Sequence, residues 1–114
     1  MRIVDLKIIM MIVKSRVVHC KKEKYNVYIG RPSKWGNPFT HWPDGTTLAK
    51  HVVEDREAAV NAYREWITNG DGKHLLNDLH ELRGGKILGC WCKPQACHGD
   101  VLLELLDKLT PQNK

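Results

Sequence analysis

Apolar positions along this chain change their spacing several times, and the changes mark its elements. Two stretches, Arg16 to Cys20 and Tyr25 to Ile29, are rich in β-branched and aromatic residues, and the charged run Lys21 to Lys24 joins them. That pattern predicts a pair of strands around a turn. A dense glycine and proline stretch, Gly30 to Phe39, can be neither helix nor central strand, and His41 to Gly45 continues it as a turn. Helical spacing begins after Asp55, a natural N-cap: Ala59, Ala62, Tyr63, Trp66 and Ile67 recur on one face until Asn69-Gly70 stops it. A second, shorter helix follows through Leu75, Leu76, Leu79 and Leu82 to Gly84-Gly85, with His74 and His80 on its solvent side. Lys86 to Leu88 reads as a strand, and Val101 to Leu109 as a last helix that buries Leu102, Leu105, Leu106 and Leu109 before Pro111.

Strands, then helices, then a strand and a helix predict a small single-domain α/β fold. We expect layers: a short mixed or partly parallel sheet with about three helices packed on it, a Rossmann-like fragment. Residues 16–110 form this domain, 1–15 an N-terminal extension or edge strand, and 111–114 a tail. In such sheets ligands sit at the carboxyl ends of strands. The Gly30 loop and the Cys92 loop each leave such an end, so parallel neighbouring strands would open both on one edge and build one pocket.

With 114 residues there is room for one core. The net charge of +5 favours anionic partners such as phosphates, nucleotides or nucleic acid. Lys21, Lys22 and Lys24 form the dense basic run, which reads as a solvated turn. Four cysteines without a signal peptide point to free or metal-bound thiols in a reducing, cytoplasmic compartment. Ile8 to Val13 is too short to span a membrane, so no membrane partner is expected. Nothing in the sequence bears on oligomeric state.

Two blocks carry candidate chemistry. In the first, Arg31 can fork onto a phosphate or carboxylate, Trp35 can stack on a base, Ser33 adds a hydroxyl and Asn37 can read donor and acceptor edges. The competing reading is a rigid loop whose aromatic residues plug the core. The second block runs from Gly89 to Asp100 and holds Cys90, Cys92, Cys97 and His98. Strand alternation predicts that Cys90 and Cys92 face one way and Trp91 the other, into packing. Three sulfurs and one nitrogen suit tetrahedral zinc, although C-x-C followed by an adjacent Cys-His pair is unusual spacing for it. Alternatively Cys97 is a reactive thiol at a helix N-terminus, with His98 as base. In the third reading the cysteines are small buried apolar residues. Cys97, His98, Gly99 and Asp100 are poor core material, and they fall where a helix start exposes N–H groups to an anion.

The blocks GRPSKWGNPF, residues 30–39, and GCWCKPQACHGD, residues 89–100, resemble the two signature blocks of a domain-of-unknown-function family of phages and bacteria, family 4326. The resemblance runs from about Arg16 onward. It implies no activity, because the family's own is unassigned. The expected function therefore comes from the residues. It is binding of a phosphate-bearing nucleotide or nucleoside derivative between Arg31, Ser33, Trp35 and Asn37 on one side and His98, Gly99 and Asp100 on the other. Hydrolase or transferase chemistry would use Cys97 as nucleophile or His98 with Asp100 as acid and base. One alternative is a non-enzymatic phage protein that sequesters a host nucleotide signal. Another is a zinc-stabilised module that binds nucleic acid through Cys90, Cys92, Cys97 and His98.

Overall fold

The computed structural model describes residues 14–41 and 51–109. The expectations for residues 1–13, for the turn from Trp42 to Gly45 and for the tail from Thr110 lie outside them. The described chain is α/β. Its main sheet holds β1 (Arg16–His19), β2 (Val27–Tyr28) and β5 (Ile87–Cys90) in the order β1-β5-β2, with both outer strands parallel to β5. A small second sheet pairs β3 (Phe39–Thr40) with β4 (His51–Val52), also in parallel. The helices are α1 (Arg56–Thr68), a 3-10 segment (Lys73–Leu82) and α2 (His98–Leu109).

The sequence suggested β1 and β2 as a pair around a turn, but they do not pair with each other; β5, contributed from sixty residues further along, lies between them. A central parallel strand is covered on both faces, and Leu88, Gly89 and Cys90 are buried accordingly. The chain returns from β1 to β2 across β5, and Tyr25 lays its ring on Gly89: a Cβ there would stand 2.7 Å from the ring. Asn26 then opens β2 by pairing with Ile87 twice, donating its N–H to the carbonyl at 2.7 Å and accepting the amide on its side-chain oxygen at 2.8 Å.

α1 starts where Asp55 accepts the Ala58 N–H at 2.8 Å, and it buries Ala59, Tyr63 and Ile67 from the expected stripe. Leu75, Leu79 and Leu82 bury the next segment, which winds as 3-10 rather than α. α2 contributes Val101, Leu102, Leu105 and Leu106, and these residues meet Ile29, Leu88 and Trp35 in one core. Full burial of each large apolar side chain contributes about 1.5–3 kcal/mol.

Candidate functional site

Because β1, β5 and β2 run in one direction, their carboxyl ends share an edge. His19, Tyr28 and Trp91, at or just past those ends, open onto a cavity of about 730 Å³. The first block reaches it through Arg31 and Asn37, and the second through Cys92, Cys97 and His98. The two distant segments thus meet at one rim.

Bonds to Tyr63 and Ala59 of α1 help pin the first block. Trp35 is only 2% exposed and packs in the core, and its carbonyl accepts the Tyr63 hydroxyl at 2.8 Å. Burial pushes the Tyr63 hydroxyl above its ordinary pKa, so it stays a donor. Asn37 spends its amide on the fold, donating to the Ala59 carbonyl at 3.1 Å and accepting the Phe39 N–H at 2.9 Å. Trp35 is therefore the plug, and Asn37 stands on the cavity wall with one of its two amide N–H groups and its oxygen given to the fold. Ser33 is not on the described wall, and its hydroxyl is buried without a partner among the described residues. Arg31 stays in place: Nη1 is likewise buried without a partner, while the Arg31 carbonyl accepts the Tyr28 hydroxyl at 3.0 Å.

The second block is built around the start of α2. Cys97 is its N-cap, with sulfur in the role usually taken by oxygen: Sγ accepts the Gly99 N–H at 3.3 Å, and Asp100 reaches back to the Cys97 N–H at 3.1 Å. Asp100 spends its other oxygen on Lys93. Gly99 lies behind the wall, where a Cβ would stand 2.9 Å from Val17 and 3.0 Å from Ile29. The His98 Nε2–H donates to the Ile29 carbonyl at 2.7 Å, and burial drives its pKa down to about 4. His98 is neutral near pH 7, so it is no cationic anchor for an anion.

The thiols pair differently from the alternation rule. β5 ends at Cys90, so the rule does not extend to Cys92. Cys90 meets Cys97 instead, with the sulfurs 3.3 Å apart. The hydrogen bond from Cys97, helped by the N–H groups of Cys92 and Lys93, lowers Cys90 to about 6; donating that bond, together with burial, holds Cys97 well above the ordinary thiol range. Burial and the nearby Cys90 raise Cys92. Among the described residues no three His, Cys, Asp or Glu side chains stand close enough to share a metal ion. The predicted zinc set of Cys90, Cys92, Cys97 and His98 does not converge, because His98 turns its Nε2 to the Ile29 backbone.

Several wall residues escaped the sequence reading. Lys22, Arg56 and Lys93 join Arg31 as cations on the cavity, and no carboxylate lies on its described wall. Arg56 did leave a signal, since a cation in the first turn of a helix opposes the dipole and needs another reason to be there. Trp91, expected in packing, is 55% exposed. Its indole N–H donates to the Tyr28 hydroxyl at 2.7 Å.

These features define a small parallel α/β domain with a cation-lined cavity at the carboxyl edge of its sheet. The chain belongs to the family described as domain of unknown function DUF4326, whose profile matches residues 13–108. It is similar to an uncharacterized 12.4 kDa protein of the nrdA-td intergenic region of Enterobacteria phage T4, at 32% identity over 99 residues, or 82% of this chain and 79% of the phage protein. No solved structure matches it. Among the described residues no helix is long and apolar enough to cross a membrane.

Proposed function

We propose that this domain binds a phosphate-bearing nucleotide in the cavity between the Arg31 loop and the start of α2. The observation that carries the reading is the wall itself: Lys22, Arg31, Arg56 and Lys93 with no described carboxylate, and Arg31 Nη1 buried without a partner among the described residues. An unsatisfied buried donor costs about 1–3 kcal/mol, more when charged. A ligand phosphate would recover that cost through the bidentate geometry that guanidinium offers. Lys93 is partly committed to Asp100, so Arg31, Lys22 and Arg56, none ion-paired among the described residues, supply the larger share of the field. The cavity is within the usual range of small-ligand sites, about 300–1,000 Å³, and Tyr28 and Phe39 give it aromatic surface for a base.

A specific observation favours binding without turnover. Cys97 caps α2 and donates to Cys90, His98 holds the Ile29 carbonyl, and Asp100 has both oxygens engaged. All three candidate catalytic groups are in structural service. Sequestration of a nucleotide in the cytoplasm of a phage-infected cell fits this arrangement. Equilibrium dialysis against nucleoside 5′-monophosphates and their parent nucleosides tests the reading: the phosphates should bind and the nucleosides should not. Cys97→Ser should keep affinity, since serine also caps a helix. Equal retention of nucleosides and phosphates would overturn it.

A further inference from the structure

The cavity's outer rim carries features that a free mononucleotide does not require. Trp91 stands at the mouth with 55% of its surface exposed, yet it is held: its N–H is committed to Tyr28, and the His19 ring meets it edge-on with centroids 5.8 Å apart. Burying such a ring would be favourable, so a fixed and exposed indole is a surface prepared for a partner. The basic run that reads as a solvated turn lies beside it. Lys21 Nζ sits 5.4 Å from the Trp91 ring, and Lys22 faces the cavity. The acid of that run, Glu23, is turned to Arg16 at 3.4 Å. Positive charge therefore continues past the cavity along the loop from β1.

We infer that the cavity is the terminal pocket of a site for single-stranded nucleic acid, with Trp91 as the platform for the base next to the one held inside. The inference rests on the proposed nucleotide reading and extends it from one nucleotide to a strand. Phosphates that follow the first meet Lys21 and Lys22, and the neighbouring base stacks on the indole. A single strand is the occupant because aromatic platforms take unstacked bases, whereas a duplex keeps its bases stacked within itself. Net charge of +5 agrees with a polyanion. The hydrogen-bond chain from Trp91 through Tyr28 to the Arg31 carbonyl fixes the platform relative to the phosphate anchor.

The test compares fluorescently labelled thymidine and uridine oligomers of about ten nucleotides with the pooled nucleoside 5′-monophosphates at low salt. Either oligomer should bind at least about tenfold more tightly than the monomers, and preference between the two tells DNA from RNA. Trp91→Ala should weaken oligomer binding by about tenfold, and Trp91→Phe, which keeps a stacking face, should retain most of it. Lys21→Ala should lower the slope of log affinity against log salt by about 0.7. If the monomers bind and the oligomers bind no tighter, the strand inference falls while the cavity reading stands. If neither binds, both fall. A duplex that binds as well as the single strand also overturns the inference.

Discussion

The His98 Nε2–H donates at 2.7 Å to the carbonyl of Ile29, so the first residue of α2 is tied to the residue that leads β2 into the Arg31 loop. This bond ties the second signature block to the residue just ahead of the first, across 69 positions of chain, and sets the distance between the walls of the cavity. The carbonyl by itself favours the protonated ring, but burial outweighs it and lowers the His98 pKa to about 4, so the donor is a neutral imidazole near pH 7.

That depressed value makes stability depend on pH. The folded pKa lies below the ordinary value of 6.5, so the unfolded chain binds the extra proton first. The contribution is complete above pH about 6.5 and is lost as pH falls toward about 4, with a magnitude on the order of 3 kcal/mol. Urea unfolding at pH 7.5 and pH 4.5 should show the loss in the native protein. His98→Gln keeps a donor but cannot titrate, so its loss over the same interval should be clearly smaller. An identical pH response would contradict the assignment.

Helix α2 docks on the sheet through Gly99, whose missing Cβ leaves room for Val17 and Ile29. Gly99→Ala should cost about 1–3 kcal/mol, the usual penalty of overpacking between buried groups. Gly89→Ala should cost less, although its Cβ meets Tyr25 closer still, because Tyr25 is 42% exposed and can swing aside. Chemical denaturation of both variants checks the ranking.

Asn37 satisfies two backbone groups on the cavity wall. Asn37→Asp removes the donor to Ala59 and places a charge at a position only 7% exposed. A destabilisation of about 2–4 kcal/mol is expected, and thermal melting against Asn37→Ser measures it.

The Cys90 and Cys97 sulfurs stand 3.3 Å apart, within hydrogen-bond distance of each other. Ultraviolet titration of thiolate absorbance should show one ionisation below the ordinary thiol range, because the hydrogen bond between the sulfurs and the N–H groups of Cys92 and Lys93 favour the Cys90 anion. Cys97→Ala removes the hydrogen bond that favours the Cys90 anion, so the midpoint should move upward. A midpoint that stays where it was would show that the backbone N–H groups alone hold the charge.

Local patterns in the sequence foretold what depends on local physics. The stripe Ala59, Tyr63 and Ile67 and its Asp55 cap follow from helical spacing, and the leucines from Leu75 to Leu82 mark a buried face even though the turn type is 3-10. The placement of β5 between β1 and β2 has no local code, because it is decided by which edges a strand sixty residues away can cover. Trp91 left its expected place for a similar reason, and Trp35 took the core position that was one of two readings of its loop. Alternation put Trp91 inside, but β5 ends one residue earlier, and the glycine-rich loop turned Trp35 into the core. The helix start at Cys97 was legible, but the role of its sulfur as the cap was not, because cysteine is not a usual cap.

One titration tests the joint cavity most directly. With backbone amides observed by NMR, adding a nucleoside 5′-monophosphate should shift residues 30–37 and 91–99 together, along a single binding curve, and Arg31→Met should abolish both sets of shifts. Movement of one segment without the other, or unchanged shifts in the Arg31 variant, would contradict a phosphate site built from both.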